Sequence, residues 1–503
     1  MKKLFIGLGL FIVLNISTAY FFLFTSFGNG LVSSFIETKV NEKGVVNFKF
    51  DEFVLSLDTL SIKANIDTTS TIQIAGDISP FSLKLDLEYF VNITDLSKLE
   101  KFVNQKLNGK FTTNGEIKGN KDLLLINGVT DLFGSSSKYD VVLKNFAVTN
   151  IDFLFKQLHI EQLLHTLNQP LYAKGKIDIE GNITDISLEN LAGKMVTTIY
   201  EGELHNNTVN EAFELKLLSP KKFEGKINTL LKPFLIDNNI DFKTSVANLA
   251  VNSAKIDLKN NAIKSDYEVV VEDLNNLYDL TQMKLLGDIK LNGEIKKAKD
   301  LEVTGISNTL NGTVNFTLFN DDFNAKINAI DVVELTKMML YPSFFDSKAN
   351  AVLDYNLVTQ KGVLSANLSN GQFLKNEFST MVNTLARFDL TKEVYKNVDI
   401  QSQINQKVID SVVAMESAYT SIDVPQSRVD LEAQTIDADL NLKIKKLEVA
   451  SKITGNIKSP NIKIDASKLL ENKAKEKLEE KIKEKLGDDE DMNKLIKGLK
   501  SLF

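Results

Sequence analysis

Cysteine and tryptophan are both absent from the 503-residue chain, and proline occurs only 7 times. Without cysteine there is no thiol nucleophile, no thiolate-bound metal and no disulfide framework. The lack of thiols fits an oxidising compartment. Without tryptophan, the 31 phenylalanines act as apolar filler rather than as sugar-stacking platforms. So few prolines leave long stretches able to pair as strands. Arginine is nearly missing as well: Arg387 and Arg428 are the only two, so bidentate phosphate clamps are scarce. The formal net charge of -7 opposes nucleic-acid binding, which needs a basic surface to displace counterions.

Chemistry-bearing motifs are missing too. His159 and His165 are six residues apart, on opposite sides of a helix, and His205 stands alone. There is no H-E-x-x-H, P-loop or G-x-G-x-x-G pattern. Gly134-Ser135-Ser136-Ser137 lacks the strand-to-helix setting of a nucleophile elbow. We therefore expect no enzyme, no catalytic residue, no metal and no cofactor.

The N-terminus carries the first positive signal. Lys2 and Lys3 precede an uncharged apolar run from Leu4 to Phe24 that includes Phe11 and Phe21. At about 1.5 Å per residue the run reaches roughly 30 Å, enough to cross a hydrocarbon core. The lysine pair places its N-terminal end in the cytoplasm, so the rest of the chain is exported. A cleaved signal would have a shorter apolar segment and a small-x-small site. Here the run ends in Tyr20, Phe21, Phe22, Leu23 and Phe24, which favours a retained, single-pass anchor.

Beyond the anchor, period-2 alternation dominates. Examples are Phe81, Leu83, Leu85, Leu87; Phe213, Leu215, Leu217; Tyr267, Val269, Val271; Val314, Phe316, Leu318; and Phe323, Ala325, Ile327. Alternation of this kind gives a strand one apolar face. Asn114-Gly115, Asn127-Gly128, Asn292-Gly293 and Asn311-Gly312 suit two-residue hairpin turns. The expected fold is mainly β, an antiparallel meander of hairpins.

Helical stripes interrupt it: Leu96, Leu99, Phe102, Val103, Leu107; Leu154, Leu158, Leu164, Leu167; Leu274, Leu277, Leu280, Met283; and Leu374, Phe378, Met381, Val382, Leu385. A weak, irregular repeat of helix, Gly, strand, Gly, strand recurs at Lys106–Gly119, Leu171–Ile183 and Leu285–Lys296, with a degenerate copy at Leu353–Leu368. An open one-faced sheet must cover its apolar side or leave it for a ligand. Periodicity alone is the same for a packed sandwich core and for a lipid-holding groove.

The C-terminal pattern is more specific. Gly455, a short strand, Pro460, a strand ending at Asp465 and then a Lys/Glu helix follow in quick succession. This stretch, with the upstream segment Leu368–Leu385, resembles the C-terminal end of the AsmA-like family. The resemblance implies an elongated, twisted antiparallel β-groove with interspersed helices, hung from the inner membrane into the periplasm. It implies binding or conduction of phospholipid acyl chains between inner and outer membranes, in support of outer-membrane assembly. It brings no catalytic residues.

The expected layout is a cytoplasmic stub (1–3), a transmembrane helix (4–24), a repeated β-groove body (25–370), an AsmA-like C-terminal β region (371–465) and an amphipathic charged helical tail (466–503). The tail caps a sheet edge or docks on a membrane or partner. Groove-facing candidates are Phe81, Leu83, Leu85, Leu87, Val269, Val271, Val314, Phe316, Leu318 and Ile327; anchor residues are Leu4, Phe11, Phe21 and Phe24. The competing expectation is an envelope assembly or scaffold factor that binds proteins and conducts nothing.

Overall fold

The computed structural model describes residues 23–42, 47–67, 69–100, 105–445 and 447–465. Leu4, Phe11 and Phe21, and with them nearly all of the expected anchor, lie outside these residues, as does the tail at 466–503. Phe24 is described and is half-buried. Among the described residues no helix is long and apolar enough to cross a membrane. The chain divides into two compact units between Tyr267 and Glu268. The boundary expected at 370 falls inside a strand, Lys361–Phe373.

The first unit opens with helix α1 (Ser26–Glu42). Thirteen strands follow: β1 (Phe48–Leu55), β2 (Thr59–Ile66), β3 (Ser70–Ser79), β4 (Lys84–Ile93), β5 (Phe111–Gly119), β6 (Leu124–Thr130), β7 (Ser137–Lys144), β8 (Ala147–His159), β9 (Ala173–Asp185), β10 (Ala192–Leu204), β11 (Lys222–Lys232), β12 (Leu235–Thr244) and β13 (Asn248–Asp257). Each strand pairs antiparallel with the next, and β1 does not pair with β13. The sheet is an unclosed meander. β14 (Ala262–Val271) crosses the division.

The second unit repeats the plan. Its strands are β15 (Ile289–Lys297), β16 (Leu301–Thr309), β17 (Gly312–Phe319), β18 (Asp322–Asp331), β19 (Phe345–Asn356), β20 (Lys361–Phe373), β21 (Tyr395–Asn405), β22 (Val408–Glu416), β23 (Thr420–Asp430), β24 (Thr435–Ile444), β25 (Leu447–Asn456) and β26 (Ser459–Asp465). They too pair in chain order, antiparallel, with no closure from β26 to β15. Pro460 sits on β26, the last described strand, opposite Gly455. An outer strand tolerates its missing donor.

Because each strand reverses direction, odd-to-even turns fall on one margin of each sheet and even-to-odd connections on the other. The described helices after α1 are all even-to-odd connections. They are α2 (Ile160–Thr166), α3 (Asn206–Phe213), α4 (Tyr278–Thr281), α5 (Val332–Met338) and α6 (Glu377–Ala386). One margin is thus built of tight turns and the other carries the helices.

A shared device precedes four of these helices. β8, β10, β18 and β20 each hold a non-glycine residue at positive φ: Gln157 (54°), Glu201 (54°), Ala329 (52°) and Asn370 (51°). At all four the register slips, as expected of a bulge. The Gln157 N–H donates to Asp178 Oδ1 at 2.8 Å and the Ala329 N–H to Asn350 Oδ1 at 3.0 Å. A bulge bends the strand just before the chain leaves for its helix. It also corrects one expectation: Leu154 and Leu158 belong to β8, not to a helix. Only Ile160–Thr166 is helical there, because the bulge keeps the preceding residues in the ladder. Leu96–Leu99 of the next stripe forms a 3-10 turn, while its Phe102 and Val103 lie outside the described residues.

Candidate functional site

The ladder registers set residues side by side across many strands. In the first unit one row runs Leu87, Ile117, Ile126, Val141, Ile151 and Ile183 across six successive strands. A second runs Phe155, Ile179, Thr197, Ile227, Ile240 and Val251. In the second unit Val314, Ile327, Ala351, Ala366, Ile400 and Val413 align in the same way. One face of each sheet is therefore apolar strand after strand.

The opposite face carries charge. Lys63–Glu52 (3.0 Å), Lys118–Glu116 (2.9 Å) and Lys452–Asp437 (3.2 Å) are among its ion pairs. Such exposed pairs contribute little stability and keep that face in water.

Cover over the apolar face is uneven. Ile117, Ile126, Val141, Ile151, Ile179, Ile227 and Ile240 are only half-buried. At the helix-bearing margin α2 folds over it, and Leu158, Ile160, Ala173 and Ile177 form a small buried cluster. Towards the C-terminal end the face is sealed. Phe378 and Val382 of α6 join Leu390, Tyr395, Val398, Ile422, Leu442 and Ile444 in one core. There Leu390, Tyr395, Ile422 and Leu442 have 0% exposure. Helix α6 is well fixed: Asn376 Oδ1 accepts from the Ser379 N–H (2.8 Å), and Ser379 Oγ accepts from the Asn376 N–H (2.9 Å).

Glycine–aromatic pairs texture the face. Gly128 opposes Tyr139, Gly181 opposes Phe153, Gly225 opposes Phe242, Gly305 opposes Phe316 and Gly362 opposes Tyr355. A Cβ on any of these glycines would run into the partner ring. The rings lie across neighbouring strands, and stack as Phe223–Phe242 at 5.6 Å and Phe316–Phe323 at 5.5 Å. This overturns part of the turn assignment. Asn114-Gly115, Asn127-Gly128 and Asn292-Gly293 lie inside β5, β6 and β15; only Asn311-Gly312 lies at a turn. Gly128 is needed for ring clearance and Gly115 for the close approach of the Asn127 backbone, roles a turn signal does not distinguish.

A cavity of about 800 Å³ opens beside these strands, lined by Lys63, Gln73, Glu88, Asn114, Glu116 and Lys138 among others. These alternate with Tyr89, Gly115, Gly128 and Tyr139 along the strands. Ile62, Ile74, Tyr89 and Tyr139, which share one ladder row, line it as well.

Of the expected face residues, Leu85 and Leu87 lie on β4, paired with Ile78 and Gly76. Val314, Phe316, Leu318 and Ile327 share one face through the pairs Val314–Ile327, Phe316–Ala325 and Leu318–Phe323. Val269 is half-buried and Val271 is 4% exposed, both on β14. Phe81 and Leu83 are placed differently. They lie in the turn before β4, Phe81 91% exposed and Leu83 at φ 50°. Pro80 directly follows the end of β3, since strand interiors exclude proline.

Among the described residues no group of three or more potential ligands could hold a metal ion.

Comparison with family models, curated proteins and solved structures found no match.

The apolar face of each unit is thus the feature that calls for a partner, on physical grounds alone. Sequence reasoning missed the residues that guard its first edge. Phe48 N–H donates to Asn41 Oδ1 (2.7 Å), Asn41 Nδ2 donates to the Phe48 carbonyl (2.8 Å), and Phe50 N–H donates to Glu37 Oε1 (2.6 Å). Helix α1 thereby occupies the outer edge of β1 with side chains. No periodic signal marks such contacts, because their partners are backbone atoms.

Proposed function

We propose that this protein binds phospholipid acyl chains on the half-covered apolar faces of its two units, as a membrane-tethered, extracytoplasmic β-protein of AsmA-like character. The observation that carries this reading is uneven cover. Ile126, Ile227 and their row neighbours stay half-exposed, while the end beneath α6 is closed. Exposed apolar surface beyond a few hundred Å² normally has a partner. A row of aliphatic side chains with flat rings between them suits a flexible hydrocarbon chain better than a shaped polar ligand.

In this reading the apolar run 4–24 is a single-pass anchor in the inner membrane and the β-rich bulk stands in the periplasm. The lipids pass between inner and outer membranes and support outer-membrane assembly. The activity is binding and transfer, without covalent chemistry and without a cofactor.

A second reading has one observation in its favour. The sealed core under α6 leaves no ligand space at that end, as a scaffold factor that binds envelope proteins would need. Mass spectrometry of full-length protein, gently extracted from membranes, separates the two. Phospholipid that co-purifies with the native chain, and is lost on Ile227→Glu without loss of folding, supports the lipid reading. Lipid-free protein with stable protein partners supports the scaffold.

A further inference from the structure

Helix α1 has two unlike sides. One side is committed to β1. Besides the Glu37 and Asn41 contacts, Asn29 Nδ2 donates to the Leu55 carbonyl at 3.2 Å, and Gly28 and Asn29 are buried. The other side presents large apolar residues to the outside. Phe27, Leu31 and Phe35 follow one another four residues apart and are 58%, 45% and 63% exposed. Spacing of four holds them on one helical stripe. Lys39 continues it, 57% exposed at its side chain and paired to Glu42.

The sequence says what covers this stripe. From Leu4 through Ile36 there is no Asp, Glu, Lys or Arg. Such a stretch would measure about 50 Å as a helix, against a hydrocarbon core of about 30 Å. The uncharged segment is therefore too long to be spent on crossing alone. Its surplus coincides with the part of α1 that exposes Phe27, Leu31 and Phe35, and the first charge, Glu37, is already bound to the edge of β1.

We propose that the exposed stripe of α1 lies in the headgroup–acyl boundary of the phospholipid bilayer that holds the preceding apolar run. Helix α1 is then a splint between bilayer and sheet. Its polar side fixes β1, its apolar side rests in lipid, and Lys39 reaches phosphate level. Strand β1 starts at the membrane surface with Phe48, Phe50 and Phe53 at the head of the apolar face. Their rings are already in contact, 4.9 and 5.2 Å between successive centroids. The proposal rests on the tether and lipid reading above, and it adds the point where the sheet meets the bilayer.

The test uses the full chain in vesicles of phosphatidylethanolamine and phosphatidylglycerol. The chain contains no cysteine, so Phe27→Cys, Leu31→Cys and Phe35→Cys each take one environment-sensitive fluorophore. Lys121→Cys, in the exposed turn between β5 and β6, is the water-facing control. We expect blue-shifted emission at 27, 31 and 35, strong quenching by spin-labelled lipid, and iodide quenching several-fold weaker than at 121. Iodide access at 27 and 35 equal to that at 121 overturns the proposal. So does self-quenching between labelled copies at 31, which would assign the stripe to a second chain. Vesicle flotation and lipid adducts on the sheet report the underlying reading separately. If the protein floats and carries lipid while 27 and 35 stay aqueous, the splint alone is wrong. If it does not float, the tether fails and the splint with it.

Discussion

The hydroxyls of Tyr89 and Tyr139 meet at 2.7 Å although they stand on β4 and β7, with two strands between them. The intervening positions of that row are Gly115 and Gly128, so the two side chains lean together over glycine. Tyr89 also reaches the Asn127 carbonyl (2.9 Å), and Tyr139 reaches Thr113 Oγ1 (2.6 Å). Burial, together with the bond to Tyr139, pushes the Tyr89 hydroxyl well above the usual tyrosine value. The bridge staples four strands of an otherwise single layer. Gly128→Ala places a methyl against both hydroxyls and should cost about 1–3 kcal/mol. Tyr139→Phe should cost about 1 kcal/mol. Denaturant midpoints of the first unit check both.

The bulge residues give a prediction of opposite sign. Ala329 holds φ 52°, a conformation that costs an L-residue roughly 1–2 kcal/mol and glycine almost nothing. Its N–H stays bonded to Asn350 whatever the side chain. Ala329→Gly should therefore stabilise the second unit by up to about 1 kcal/mol, the greater backbone freedom of glycine when unfolded offsetting part of the gain. A lower thermal midpoint for this variant would show that the bulge is not strained.

The open and sealed parts of the apolar face should respond differently to truncation. Leu442 has 0% exposure, and Leu442→Ala should cost about 2–5 kcal/mol. Ile227 is half-buried, so Ile227→Ala removes contacts that water already shares and should cost clearly less. On the proposed function the second variant lowers retained lipid instead. Parallel measurement of unfolding and of bound phospholipid checks the split.

Much of this architecture could be read from the sequence, for one reason. A single-layer sheet with one apolar face writes its strands as strict alternation, and Val314, Phe316 and Leu318 align with Ile327, Ala325 and Phe323 as their spacing indicates. Other parts were not legible. Alternation continues by chance through Phe81 and Leu83, where Pro80 and a left-handed Leu83 have already ended the strand. Asn-Gly pairs look like turns, yet inside strands Gly128 serves ring clearance and Gly115 the close approach of the Asn127 backbone. Sealing by α6 depends on where a helix lands, and its stripe of Phe378 and Val382 is the same whether it covers a face or leaves it. The α1 clamp on β1 joins side chains to backbone atoms, which no residue pattern records.

The sealed core also carries a pH dependence. Burial pushes the Tyr395 hydroxyl up to about 12, while an unfolded tyrosine ionises near 10. A raised folded value means the stabilisation is complete below about pH 10 and is lost as pH climbs from there towards about 12. The loss is at most about 2–3 kcal/mol. Tyr395→Phe keeps the ring and removes the titrating group. Its urea midpoint should therefore fall less than that of the native chain between about pH 9 and pH 11. Equal falls in the two proteins would contradict the assignment.

The central claim is that hydrocarbon occupies the half-covered face, and site-specific photocrosslinking in intact membranes tests it most directly. A benzophenone amino acid replaces Ile126, Ile227 or Phe316 on the open face, Leu442 under the seal, and Lys194 on the polar side. Phospholipid adducts at the first three positions, and none at the last two, are the predicted result. Absence of lipid at Ile126, Ile227 and Phe316, or equal labelling at Lys194, would contradict it.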